Sequence, residues 1–368
     1  MRVLCVFLLV APVLKAEDAE AEFKTALQVF QAERPTAFAP GASSRVFPAV
    51  EALAETKDAR ATKPLAGLLA ATLAQDKLAH KQILKIQKYG ATAHERVREI
   101  DEELQLLRQR QRAGAREVGP EIVRLDEERA KQMEIFEEAQ LLVADQVRLS
   151  EYTEELRQEL AKVCATLLAA QEGKIATAVI GDIRGYLDVS DRVEALLLVR
   201  ILRESNRPES SKTLIDIFEH SRAHEAAVRA AIAAAGRLVA EHQDFAGARA
   251  LVARWARDPE KAGPSIQAAL SLAARKHLKT PAGARAWIAS AEKTDLFKRG
   301  MAEMRAGNRK SGLELLRKAL EKNPSAEEVL AVLTQTEYSE LLSMLAEGGE
   351  EAKVARAVLD KAIKAVKD

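Results

Sequence analysis

The chain has 368 residues, with 56 Lys+Arg against 55 Asp+Glu, a net charge of +1 and only 4% aromatic residues. The even mixture of signs excludes the basic stripe that a nucleic-acid backbone requires. Two cysteines exclude a disulfide framework, and an Ala/Leu/Glu/Lys/Arg-rich composition with scarcely a β-branched run points to helix throughout.

Met1-Arg2 is a short basic start, Val3 to Leu14 an apolar run, and Lys15-Ala16-Glu17-Asp18 an abrupt polar turn. This is the three-part layout of a secretory signal peptide, here 1–16, with Ala16 as its last residue. The apolar run is too short to span a bilayer comfortably, and a retained membrane anchor is the alternative. Cys5 lies too early for a lipoprotein acylation site, and removal of the segment leaves Cys164 as the single thiol. A lone thiol makes no intrachain disulfide, so it reads as a small buried apolar residue, with an intermolecular bridge as the alternative. The expected location is secreted or periplasmic, in the cell envelope.

Residues 17–75 read as an N-terminal helix and a first helix pair. Phe23, Leu27 and Phe30 share one face of a helix over 18–34 that Pro35 closes, and residues 36–44 connect it onward. Val50, Leu53, Leu65 and Leu68 then mark two helices around the polar loop Thr56 to Arg60.

Residues 76–165 read as a helical hairpin. Ala79, Ile83, Ile86, Gly90, Ala93, Val97, Ile100, Leu104 and Leu107 alternate spacings of 4 and 3, an unbroken heptad seam. Gly114 and Gly119 supply a turn, and Pro120 suits the first turn of a returning helix. The returning arm places Ile122 and Leu125 in one frame and Leu142, Leu149, Leu156, Leu160 and Val163 in another, with a slip near Phe136. Each arm is expected to be roughly 50 Å long and antiparallel to the other. A solvated spacer and a projecting arm for dimerisation or partner contact are both open.

Residues 166–292 read as further helix pairs. Val199, Leu202, Leu214 and Ile217 repeat the positions of Val50, Leu53, Leu65 and Leu68 at a constant offset of 149. Copies follow at a period of about 36, headed by Leu202, Leu238 and Ala274 and by Leu214, Leu251 and Trp287. Asp191 with Glu194 has capping-box spacing, and Asp258-Pro259 and Thr280-Pro281 read as helix starts. Val228-Arg229-Ala230-Ala231 followed by Ala234-Ala235-Gly236 resembles the helix pattern of HEAT-type repeats. Over 293–368 the pattern changes. Gly300, Gly307, Ala319 and Pro324 are spaced as in a tetratricopeptide unit, which that stretch resembles, although Gly312 stands where the family prefers alanine and Leu316 where it often has an aromatic. Ser325 to Glu328 is a capping box, and a last helix over 350–366 turns Val354, Val358, Leu359 and Ile363 inward.

The chain offers little for chemistry. His220 and His224 are four apart beside Glu219 and Glu225, a spacing that could hold zinc, but no third ligand is near and the arrangement is not HExxH. Gly181 and Gly185 read as close-packing positions in an apolar helix rather than a phosphate loop, and Trp255 and Trp287 as core. No catalytic, cofactor-binding or metal residue is assigned, and no cofactor. The expectation is an all-α protein: an α-solenoid of HEAT-like helix pairs with a long antiparallel coiled-coil hairpin insertion and a tetratricopeptide-like cap. The resemblance implies a non-enzymatic scaffold or adaptor whose partners are other proteins, and the hairpin leaves a homo-oligomer open. Nucleic acid and small-molecule substrates are not expected. The alternatives are a self-assembling structural envelope protein and a metal-dependent enzyme.

Overall fold

Helix formers spaced with apolar residues every three or four positions leave little else for this chain to build, and no strand occurs among the described residues. The computed structural model describes residues 4–39, 42–113, 115–330, 333 and 335–367, and of 4–17, 116, 326, 335–336 and 364–367 the backbone only. The chain forms two compact units, Met1–Asp188 and Val189–Asp368.

The first unit contains α1 (Leu4–Glu33), α2 (Ser43–Glu55), α3 (Thr62–Arg112), α4 (Gly119–Ala169) and α5 (Gly173–Arg184). The expected signal segment lies outside the described side chains. No helix of the described residues is long and apolar enough to cross a membrane. Phe23 and Phe30 are buried as the helical spacing predicts. The Arg60 guanidinium lies 4.2 Å over the Phe23 ring and pairs with Glu20 and Asp58, tying α1 to the approach to α3. These hydrogen bonds hold both carboxyls below their ordinary range.

The outgoing arm is no separate insertion. α3 carries Leu65 and Leu68 of the first helix pair and runs unbroken to Arg112, because residues 68–89 hold neither Gly nor Pro to stop it. Each of α3 and α4 has 51 residues, a length of about 75 Å, of which the part of α3 from residue 76 onward accounts for about 55 Å, near the expected arm length. Near its C-terminal end α4 buries Cys164 completely, which pushes the thiol up to about 12.

The second unit contains α6 (Arg192–Ser205), α7 (Ser211–Glu219), α8 (Glu225–His242), α9 (Phe245–Arg257), α10 (Gly263–Ala274), α11 (Pro281–Arg305), α12 (Arg309–Glu321), α13 (Ala326–Leu330), α14 (Gln335–Glu347) and α15 (Gly349–Lys367). α6, α8 and α10 pack in one row, and α7, α9 and α11 in another. Val199, Leu202, Leu214, Ile217, Leu238, Leu251 and Trp255 are buried, whereas Ala274 and Trp287, heading the last copy, are only half-buried. Phe297, Met301, Met304, Leu316, Leu341, Val354 and Val358 build a second core among α11, α12 and the helices after them.

The repeat recurs element by element. α2, the 3-10 turn Ala59–Ala61 and the start of α3 reappear 149 residues later as α6, the 3-10 turn Pro208–Ser210 and the start of α7. The left-handed residue that breaks the chain after α2, Lys57, has its counterpart at Asn206, and the same geometry ends α8 at Gln243 and α10 at Arg275. None of the four is glycine.

Several capping expectations hold. Asp191 accepts from the amides of Val193 (2.9 Å) and Glu194 (3.2 Å), Thr280 from Gly283 (3.1 Å), and Ser325 and Glu328 cap each other reciprocally at 2.8 and 3.1 Å. Others need correction. Asp258-Pro259 does not open a helix: Asp258 ends α9, takes the Lys261 amide in a turn, and α10 waits until Gly263. Gly181 faces open space, so close packing does not explain it. On α15 Ile363 is exposed and Ala362 buried in its place, a one-residue shift of the inward face. Residue 293, where the sequence pattern changes, falls inside α11. Gly312 departs from alanine for a steric reason, since a Cβ there would lie 2.8 Å from the Gly300 carbonyl oxygen where α12 crosses α11.

Candidate interaction surface

The site begins with the seam that joins α3 to α4. Ala79, Gly90, Ala93, Val97, Ile100 and Leu104 are buried in α3, as their spacing predicts. The helices run antiparallel: Gly90 faces Ala139, and the His94 ring stacks on Phe136 at 4.8 Å. The far half is fixed by Ile100, Leu104 and Leu125 and by three ion pairs, Arg96 with Glu128 (2.8 Å), Arg129 with Asp101 (2.6 Å) and Arg108 with Asp126 (3.0 Å). These pairs are partly exposed and contribute register more than stability.

The near half is polar, which the leucine pattern does not reveal. Asp76 accepts from Ser150 Oγ at 2.9 Å and pairs with Arg157 at 3.2 Å, and Arg157, only 11% exposed, also meets Glu154. In the returning arm Phe136, Ala139 and Ser150 meet α3, and Val143, Gln146 and Thr153 complete the same spacing of threes and fours. Leu142, expected on the seam, sits one residue off that row and is exposed. The slip near Phe136 belongs to the leucines, while the small and polar residues carry the seam through.

Between the two halves lies a groove of about 420 Å³. Its floor is the close Gly90–Ala139 approach, where a Cβ on Gly90 would come within 2.9 Å of the Ala139 methyl. Its walls include Ile86, Gln87, Ala91 and His94 on α3 and Phe136, Gln140 and Val143 on α4, without a formally charged Lys, Arg, Asp or Glu among them. Leu84 and Val147, one helical turn beyond Gln87 and Val143 in the sequence, are exposed. On helices otherwise dense in Lys, Arg and Glu, a neutral concavity of this kind fits an apolar helix face.

Elsewhere in this unit a cleft of about 670 Å³ lies between α4 and the start of α2, lined by Phe38, Ala42, Asp145, Leu149 and Tyr152. The Phe47 ring meets Tyr152 edge-on at 6.0 Å, and burial pushes the Tyr152 phenol up. The histidine pair takes capping roles. His224 caps α8, its Nδ1 accepting from the Ala226 amide at 3.2 Å, while His220 Nδ1 accepts from Arg222 at 3.3 Å. Glu219 pairs with Arg257. Among the described residues no three His, Cys, Asp or Glu side chains gather as a metal-binding group.

The groove was not singled out from the sequence, yet a signal is present there. Leu84, Gln87, Ala91 and His94 follow the α3 seam by one residue each, and Gln140, Ala144 and Val147 do the same on α4. No family model, curated protein or solved structure matches the chain.

Proposed function

We propose that the chain is a non-enzymatic scaffold that binds other proteins, exported to the periplasm or cell envelope, with the α3–α4 pair as its interaction arm. The neutral groove at Gly90 and Phe136 carries this reading, because a spacer needs only charged outer faces while a helix-binding arm needs an uncharged one. In this reading α3 and α4 form an antiparallel coiled coil. The helix pairs are a HEAT-like α-solenoid that mounts it, and α11 to α15 include a tetratricopeptide-like cap. The two interlocking helix rows of the second unit and the recurrent turn at Lys57, Asn206, Gln243 and Arg275 support a stacked-repeat mount. Export rests on the Met1 to Asp18 pattern, and the expected mature N-terminus is Glu17 by amino-terminal sequencing of the envelope fraction.

Affinity capture from envelope extract tests the arm. The full chain is compared with one whose residues 77–160 are replaced by a short Gly/Ser linker. Loss of a retained protein on replacement is the expected outcome; equal retention by both forms would make the hairpin a spacer.

A further inference from the structure

The groove row on α3, Leu84, Gln87, Ala91 and His94, is spaced 3, 4 and 3; on α4 the row Gln140, Ala144 and Val147 is spaced 4 and 3, with the charged Glu137 three residues before it, outside the groove lining. The α3 row is thus a second seam, rotated by about 100° from the first. Along its outer edge on α3, exposed charges recur every seven residues and change sign at the middle: Lys81 and Lys88, then Glu95 and Glu102. In a heptad assembly, charges in this flanking position select the partner and its direction.

We propose that the groove is filled by a second copy of this chain, packed groove to groove and antiparallel about a two-fold axis crossing α3 beside Ala91. That axis sets Lys88 opposite the partner's Glu95 and Lys81 opposite the partner's Glu102, each twice, since both pairs are centred on one point between Ala91 and Thr92. Because His94 faces Phe136 and Gly90 faces Ala139, the axis crosses α4 close to Ala139. There it places Val147 opposite the partner's Ala130 and Met133 opposite the partner's Ala144, a large residue against a small one at each crossing. The small Ala91 at the axis lets the two α3 helices approach. A face of about 33 Å by 20 Å is some 650 Å² per copy, at the low end for a specific interface, so association in the micromolar range is expected.

This inference rests on the reading of the groove as a protein-binding surface and names its occupant. The test is sedimentation equilibrium of the full chain from about 1 to 200 μM, with helix content followed by circular dichroism. A monomer–dimer equilibrium is expected. Lys81→Glu/Lys88→Glu and Glu95→Lys/Glu102→Lys each weaken it by at least about tenfold. An equimolar mixture of the two variants restores association, because all-acidic and all-basic edges then face each other. A chain that stays monomeric throughout overturns the proposal, as does a dimer indifferent to both reversals or a mixture that associates no better than its components. A monomer whose hairpin still captures another protein from extract sinks the proposal and leaves the scaffold reading standing. A monomer that captures nothing sinks both.

Discussion

Cys164 shows how far burial alone determines chemistry. Its thiol is fully enclosed on α4 and pushed up to about 12, so the folded chain holds a proton that the unfolded chain, with an ordinary thiol near 8.5, releases. The stability from keeping that thiol neutral is complete below about pH 8.5 and declines as pH rises toward 12, by up to about 1.4 kcal/mol per unit. Tyr152, also raised by burial, acts in the same direction. Urea unfolding at pH 7, 9 and 10.5 should therefore show an alkaline loss that Cys164→Ala reduces. In the folded protein at pH 8 a maleimide should leave this thiol unlabelled. Backbone geometry supplies two further tests. Gln243 is left-handed at φ 55 where α8 ends, so Gln243→Gly should raise stability by about 0.5–1 kcal/mol in the same assay. Gly312→Ala should lower it by about 1–2 kcal/mol, the crowding of the Gly300 carbonyl outweighing the better helix propensity of alanine. That last site was legible as a departure from a familiar pattern, but its cause depends on how closely α12 crosses α11.

Among elements, the hairpin divides what the sequence reveals from what it hides. The outgoing seam from Ala79 to Leu104 was readable because apolar residues sit there without interruption. The returning arm was readable only in part: Ile122 and Leu125 pack in the far core and Leu156, Leu160 and Val163 are buried, but in the middle Ser150 meets Asp76 while Leu142 lies outside. Hydropathy cannot distinguish a polar residue facing Asp76 from one facing water. The network at Asp76 is expected to matter accordingly. Asp76→Ala removes the acceptor of Ser150 Oγ and the charge partner of the poorly exposed Arg157 guanidinium, and should cost about 1–3 kcal/mol, read by thermal unfolding. Replacing both members with apolar residues, as Asp76→Leu with Arg157→Met, should cost less than the sum of the two single changes. The groove is hidden in the sequence for a related reason, since its row of Gln, Ala and His beside the seam acquires meaning only when Phe136 and Val143 are brought next to it.

At the scale of the molecule, the periodicity was the most legible property. The 149-residue offset read from four apolar positions reappears in helix starts, a 3-10 turn and a left-handed residue, so the two copies share a backbone plan and not merely a composition. Where the helices begin and merge was less legible. α3 fuses a repeat helix to the hairpin arm and α11 spans the change of pattern at 293, because nothing in either stretch stops a helix. Whether the neutral groove is a protein-binding face is read out by a photo-crosslinking residue placed at Gln140 in living cells. Leu106, exposed on α3 beyond the groove and beyond the proposed face, serves as the comparison. A specific protein adduct is expected from Gln140, at about twice the 40.3 kDa of the chain when the occupant is a second copy, and little from Leu106. No adduct from Gln140, or equal adducts from both positions, would contradict that reading.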